Sequence, residues 1–593
     1  MTTLRAALRL GARAHPAALS CLIALMLVSA GPPVAAAWCT KLLLDELGKG
    51  AAAAPDRAIR YALCAAGLLA LTTMANRLIG YLTGLVQNAV GIAATVGLYR
   101  RVNTFLGLGP FERPEFRDRL MLAQQAADQA PYAVIMFTVS TVQSLVTIAG
   151  FAVVLLSLWP PAGLLVLVVI GPEFVIQLAL ARRTARASED ASGLFRARFF
   201  YQGLLTDVRA AREVRLYQLG GFFHGRLTTS LRRASRIELK AQWHATRVQA
   251  VWSLASAAVA VIGTLTVVGA VVRGSLTLGD LTIFLTALVA VQGGLSGIAS
   301  QLGEVSSSLR LFRHYVGVVD GPADLADGSR EAPPLRAEIR FEDVWFRYDE
   351  GGPWALQGVS LTIPAGHATG LVGVNGAGKS TLVKLLCRFY DPDRGRITWD
   401  GIDLRELRAE TLRARMGAVF QDFMCYDLTA EENVGMGRLP YTSDAVRMAA
   451  AQAEVHTRLT ELPNGYRTML SRTFLGEEGE TGVTLSGGQW QRVALARSLM
   501  RADADLLILD EPSSGLDAEA ESRIHASLAR VRRGRTGLLI SHRLSTLRDA
   551  DRIVVLADGH IIESGSHDEL MAADGDYSRL FTLQASGYQL ATP

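Results

Sequence analysis

The chain has 593 residues, of which 50% are hydrophobic and 19% charged, and its mean hydropathy is +0.24. Soluble chains average about 25% charged residues, so a wholly soluble protein is excluded; the apolar surplus lies in the first half and predicts membrane spans followed by a soluble domain. The formal charge of +5 and pI near 9.0 would suit nucleic acid, but many basic residues flank apolar runs, where bilayer orientation explains them and no nucleic-acid partner is expected.

In chain order, six apolar runs lie near residues 17–40, 60–86, 131–157, 160–181, 248–272 and 281–303. Each reaches the roughly 20 residues needed to cross about 30 Å of hydrocarbon. Three connections are short: 46–58, Trp159-Pro160-Pro161 and 273–277. Two are long, 87–130 and 182–247, and they hold most of this half's positive charge, including Arg100, Arg101, Arg117, Arg119, Arg182, Arg183, Arg232, Arg233 and Lys240. The positive-inside rule therefore puts the N-terminus, both long connections and the C-terminal domain in the cytoplasm of a multi-pass protein of the cytoplasmic (inner) membrane. The first run has a competing reading as a secretory signal cut after Val34-Ala35-Ala36-Ala37, although its apolar pattern continues past that point.

The long connections are rich in helix formers. Each is interrupted once, at Gly107–Pro114 and at Leu219–Phe223, which predicts two helical hairpins with tips far from the bilayer. Arg77 and Glu173 are the clear ionisable residues deep in the spans, with Gln143, Gln177 and Gln292 as polar company. Such groups are functional candidates by default, with structural pairing or snorkelling as the plainer alternative. Five cysteines (Cys21, Cys39, Cys64, Cys387, Cys425) are scattered without metal-ligand spacing and imply no disulfide framework. A polar connector with Pro322, Asp327, Gly328, Pro333 and Pro334 ends the first half. The expected organisation is a transmembrane domain over 1–316, a linker over 317–336 and a soluble domain over 337–593.

From Ala337 onward, short alternating strands and amphipathic helices replace the long apolar runs. The nine residues Gly373-Val374-Asn375-Gly376-Ala377-Gly378-Lys379-Ser380-Thr381 fit G-x-x-x-x-G-K-[ST] without a mismatch, between an apolar strand and a helical pattern. That context makes a phosphate cradle. Gly373, Asn375, Gly376 and Gly378 shape the loop, Lys379 reaches the β- and γ-phosphates, and Ser380 and Thr381 open the helix, with the Ser380 hydroxyl on Mg²⁺. Leu506–Glu511 is an apolar strand ending in two acids. It delivers Asp510 to the Mg²⁺ side of the phosphates and Glu511 to polarise an attacking water.

Leu485-Ser486-Gly487-Gly488-Gln489 reads LSGGQ. With the phosphate loop and the acid-tipped strand in this order, the second half resembles the nucleotide-binding domain of ATP-binding cassette (ABC) proteins. With the six preceding spans, nearly the whole chain resembles the exporter-type half-transporter (type IV fold) of bacterial multidrug, peptide and lipid exporters. The fold class expected is a helical membrane domain of six transmembrane helices plus an α/β P-loop domain.

The resemblance implies further roles. Tyr348 would stack on adenine. Gln421 would sense Mg²⁺ with Asp510 and Ser380, and His542 would contact the γ-phosphate beside Glu511 and Lys379. Ser514–Asp517 would cross toward a partner site, and Gly479–Gly482 would touch the coupling tips, although Thr481 stands where the family has Arg. Ser486 and Gly488 would complete the ATP site of a second copy, so two chains are required. The intact motifs favour a homodimer and leave a heterodimer open. The activity implied is ATP-driven export of an amphipathic or hydrophobic cargo, in contact with membrane lipid. The alternative is a non-transporting ATPase acting as a regulator or channel gate. A nucleic-acid ATPase is disfavoured by the spans.

Overall fold

The computed structural model describes residues 2–50, 54–158, 197–471, 482–512, 534–541 and 543–589, with short pieces within 160–194 and 523–530. The chain forms two compact units: Met1–Thr104 with Pro114–Pro322, and Phe105–Arg113 with Ala323–Pro593.

The described residues of the first unit form helices Thr2–Ala14, Pro16–Ser29, Gly31–Leu47, Pro55–Val102, Pro114–Leu158, Val208–Leu216, Gly220–Val272 and Leu278–Val319. Five stretches are long and apolar enough to cross a membrane: Pro16–Leu47, Pro55–Val102, Ala130–Ser157, Gly220–Val272 and Leu278–Val319. They contain five of the six expected runs, and the unit is that of a multi-pass membrane protein. The sixth run, 160–181, lies largely outside the described residues, and so do Glu173 and Gln177.

The described parts of the long connections are largely helical, as their composition predicts. Pro55–Val102 has 48 residues and Gly220–Val272 has 53. At 1.5 Å per residue these helices run about 70–80 Å, more than twice the hydrocarbon thickness. The first interruption falls where expected, between Val102 and Pro114, around a short helix Gly109–Glu112. The second falls earlier than expected. The break is at Tyr217–Leu219, because Gln218 takes the left-handed conformation (φ 53°), and Gly220 already opens the next helix.

On Pro55–Val102, Leu82, Val86, Val90, Ala94 and Leu98 are buried at every fourth position, while Leu63, Leu69, Met74 and Leu78 are exposed. Four-residue spacing keeps one face of a helix against its neighbours. An exposed apolar face of this extent is what a lipid environment demands. Arg77 lies on the exposed side. Gln143 is spent on structure, donating to the Ser29 hydroxyl at 2.9 Å. Ser140 donates to Gln301 at 2.7 Å. Lys41 is buried between Asp45 (2.7 Å) and Asp280 (3.1 Å), joining helices Gly31–Leu47 and Leu278–Val319.

The second unit is an α/β domain with two sheets. Four antiparallel strands, β1 (Glu338–Phe346), β2 (Leu356–Pro364), β4 (Arg394–Trp399) and β5 (Ile402–Asp403), are ordered β2-β1-β4-β5. Six strands make the second sheet: β3 (Ala368–Val372), β6 (Met416–Val419), β7 (Leu506–Asp510), β8 (Thr536–Ile540), β9 (Arg552–Ala557) and β10 (His560–Gly565). Their order is β10-β9-β3-β8-β7-β6, parallel except for β10. Strands β3, β7 and β8 are buried along their whole length, as the apolar runs of a covered parallel sheet require. In such a sheet, ligands bind beyond the carboxyl ends of the strands. The phosphate loop leaves β3 there, and Asp510 ends β7 beside Ile540 of β8.

Candidate nucleotide site

The phosphate loop runs from Gly373 into helix Lys379–Leu386. Gly378 sits at φ 106°, and a Cβ there would stand 2.6 Å from Leu356 Cδ2 and 2.8 Å from the Ala355 oxygen. No other residue fits that backbone and that space. Val374, Asn375 and Gly376 are exposed at the loop's crest, and Ser380 is exposed at the helix N-terminus. Lys379 Nζ donates to the carbonyl oxygens of Gly373 (2.7 Å) and Val374 (3.0 Å), folding across its own loop. Burial pulls the Lys379 ammonium below its usual pKa, while the carboxylates of Asp510 and Glu511 act in the opposite sense.

Asp510 is buried at the end of β7. Glu511 follows with φ 53°, a left-handed backbone that is rare outside glycine. Three groups hold it there. Its N–H donates to the Ile540 oxygen at 2.9 Å. Its carbonyl accepts from Gln491 Nε2 at 2.6 Å, and its carboxylate accepts from Gln421 Nε2 at 3.2 Å. Strain that is over-determined in this way concentrates at functional sites. With its amide nitrogen spent on Glu511, Gln421 leaves its oxygen for a cation. The Ser380 hydroxyl, the Gln421 oxygen and the Asp510 carboxylate are the hard oxygen donors that suit Mg²⁺, which takes few protein ligands and completes its shell with phosphate and water. No group of three or more His, Cys, Asp or Glu suited to a metal occurs among the described residues.

Tyr348 is 36% exposed. Its hydroxyl is 3.0 Å from the hydroxyl of Thr381 in the first turn of the phosphate helix. Ser486 caps helix Gly487–Leu499 in a reciprocal box: the Gln489 N–H donates to its hydroxyl (3.3 Å) and its own N–H donates to Gln489 Oε1 (3.0 Å). Ser486 and Gly487 are exposed, and nothing lies within 4 Å of a Cβ on Gly487. The helix N-terminus is thus open to an anion. Trp490, Val493, Ala494 and Leu495 bury the rest of this helix.

The structure therefore gathers Lys379, Asp510, Glu511 and Gln421, and joins Tyr348 to Thr381. His542, Ser514–Asp517 and Gly479–Thr481 lie outside the described residues. Sequence reasoning missed Gln491, which fixes the Glu511 backbone; the motif named the helix but assigned this side chain nothing. It also missed Lys384, five residues beyond Lys379, for which no local signal exists.

Residues 356–514 match the ABC transporter family. The ATP-dependent lipid A-core flippase of Chromohalobacter salexigens is 40% identical over 310 residues, 52% of each chain. The mitochondrial potassium channel ATP-binding subunit of Pongo abelii is 40% identical over 334 residues, 55% of this chain and 45% of that protein. The chain thus spans about half the length of the curated relatives it matches. A solved bacterial Atm1-family ABC exporter with ATP bound superposes with a TM-score of 0.82 and 25% identity, over 96% of this chain and 99% of that one.

Residues 356–514 of the second unit are accordingly similar to ABC transporter domains, a class that binds ATP. The chain as a whole shares the fold of that solved exporter, with one helical membrane unit and one α/β unit that holds the phosphate loop.

Proposed function

We propose that this protein is one half of an ATP-driven exporter of the cytoplasmic membrane, with both termini in the cytoplasm. The observation that carries the reading is the convergence of Lys379, Asp510, Glu511 and Gln421 in a chain that also holds its own membrane spans. Lys379, now turned onto loop carbonyls, would exchange them for the β- and γ-phosphates. Ser380, Gln421 and Asp510 would hold Mg²⁺, which when bound offsets the charge of the transferring phosphoryl group. Glu511 would orient and deprotonate the attacking water, with His542 on the γ-phosphate. The open end of the Ser486 helix would close on ATP held by a second chain, and the intact motifs favour an identical one.

Cargo would be amphipathic or hydrophobic. The flippase relatives make a lipid or lipid-like molecule the first class to try, with drug-like natural products and small peptides next. The channel-subunit relative is the one observation on the side of a gating role. The likeness to an exporter over nearly the whole chain weighs more heavily for export.

The test is reconstitution in vesicles with the soluble unit outside and a panel of labelled lipids and amphipathic compounds. ATP should drive accumulation of at least one member. Glu511→Gln should lower ATP turnover about 10²–10⁴-fold and stop accumulation. ATP turnover without movement of any panel member would favour the gating reading.

A further inference from the structure

We propose that Glu112, at the tip between Pro55–Val102 and Pro114–Leu158, is a positioning residue for the nucleotide base: through Lys384 and Tyr390 it sets the pose of Tyr348. The inference rests on the reading of Tyr348 as the base-stacking residue and extends it to a side chain outside every nucleotide motif.

The tip is held by its backbone. Residues Phe105–Arg113 belong to the soluble unit although both flanking helices belong to the membrane unit. The Leu108 N–H donates to the Phe389 oxygen at 3.1 Å, and Arg413 donates to the Leu106 oxygen at 2.6 Å. Leu106 N–H donates to Asp324 at 3.0 Å, and so does the Gly107 N–H. A Cβ on Gly107 would lie 2.6 Å from the Phe389 oxygen, so the two backbones meet as closely as glycine allows. Phe389 and Arg388 immediately follow the phosphate helix. The tip thus seats at the far end of the helix whose near end faces the phosphates.

This seat fixes Glu112, whose carboxylate is fully engaged. Oε1 accepts from Lys384 Nζ at 2.8 Å and Oε2 accepts from Tyr390 OH at 2.6 Å. Both donors also touch Tyr348. The Lys384 ammonium stands 5.1 Å from the Tyr348 ring centroid, within cation–π range. Tyr390 meets the same ring edge-on, with centroids 5.6 Å apart at 86°. The remaining restraint on Tyr348 comes from Phe346, edge-on at 5.1 Å, and from Thr381 at its hydroxyl. Two of the groups that orient the exposed Tyr348 ring are therefore themselves oriented by one tip carboxylate. Burial pushes the Glu112 carboxyl up, but the hydrogen bonds from Lys384 and Tyr390 outweigh it and hold it below its ordinary value. The set is an ion pair at neutral pH.

Removing the charge at Glu112 releases Lys384 and Tyr390 together, and Tyr348 loses its fixed pose. A base then meets a ring it must first order, while the phosphate loop is untouched. The coupling is reciprocal: a base stacked on Tyr348 tightens the tip by the factor that the docked tip gives to base affinity.

The experiment uses the full chain in lipid nanodiscs with two ligands: ATP, and inorganic tripolyphosphate as a base-free competitor. Glu112→Gln is expected to raise the KM for ATP about 5–20-fold, with the change in KM rather than kcat and the inhibition constant of tripolyphosphate unmoved. Glu112→Asp, which keeps the charge, should recover part of the loss. An unchanged KM for ATP, or an equal shift for ATP and tripolyphosphate, overturns the proposal. Tyr348→Ala separates the two levels of the argument. If it leaves ATP and tripolyphosphate equally affected, the base-stacking reading falls and this inference with it. If Tyr348→Ala weakens ATP selectively and Glu112→Gln does not, this inference alone falls.

Discussion

Each unit of this protein uses a lysine–carboxylate cluster to join segments far apart in sequence, and the two clusters are built to opposite specifications. In the membrane unit, the side chains of Lys41, Asp45 and Asp280 are only 11%, 20% and 11% exposed. Asp280 also closes a capping box with Thr277, and Asp45 accepts from the Gly279 N–H at 3.1 Å. A Cβ on Gly279 would lie 2.5 Å from the Lys41 oxygen. In the soluble unit, Lys384 and Glu112 are 28% and 41% exposed. A buried cluster is costly to break, because the orphaned charge has no water to turn to. A half-exposed pair exchanges with solvent at little cost. The first is suited to a permanent clamp between two membrane helices, and the second to a contact that must respond to nucleotide.

The comparison breaks if the two clusters prove equally costly to remove. Lys41→Met leaves Asp45 and Asp280 without a cation and should cost about 3–5 kcal/mol, read as a large drop in the thermal midpoint of the detergent-solubilised protein. Gly279→Ala should cost about 1–3 kcal/mol by forcing the two helices apart, read the same way. Glu112→Gln should cost no more than about 1 kcal/mol, so its thermal midpoint stays close to that of the unmodified chain while its KM for ATP moves.

The smallest effect is that of pH on the tip. The folded Glu112 carboxyl lies below its ordinary 4.5. Its contribution is complete above that value and fades as the pH falls through the lower folded one. Burial pulls the Lys384 ammonium down, but the hydrogen bond to Glu112 and the charges around it raise it above 10.5. Its contribution is complete below that value and fades as the pH rises through the higher folded one. Protease protection of the tip should therefore be flat between about pH 6 and pH 9.

Much of the nucleotide site was legible because its residues are neighbours in sequence or end adjacent strands. The phosphate loop needs glycine at Gly378, and an apolar run such as Leu506–Leu509 is unreadable as anything but a buried strand once that loop is present. Five of the six expected spans were legible from length and hydropathy alone. What the sequence hid depends on register between distant helices. Nothing local pairs Lys41 with Asp280, or Glu112 with Lys384, and nothing in the motif pointed Gln491 at the carbonyl of Glu511. The break at Gln218 was hidden for a different reason: glycines Gly220 and Gly221 advertised a turn, but a polar residue two positions earlier took the left-handed backbone.

The central claim is that one ATP site needs two chains, with Lys379 and Glu511 from one and the exposed Ser486 cap from the other. It is tested most directly by comparing ATP turnover in nanodiscs holding one chain with turnover in nanodiscs holding two. One-chain discs should bind ATP without sustained turnover. Two-chain discs should turn it over, and Ser486→Arg should abolish that turnover while ATP binding persists. Full turnover in one-chain discs, or turnover in two-chain discs indifferent to Ser486→Arg, would contradict the account.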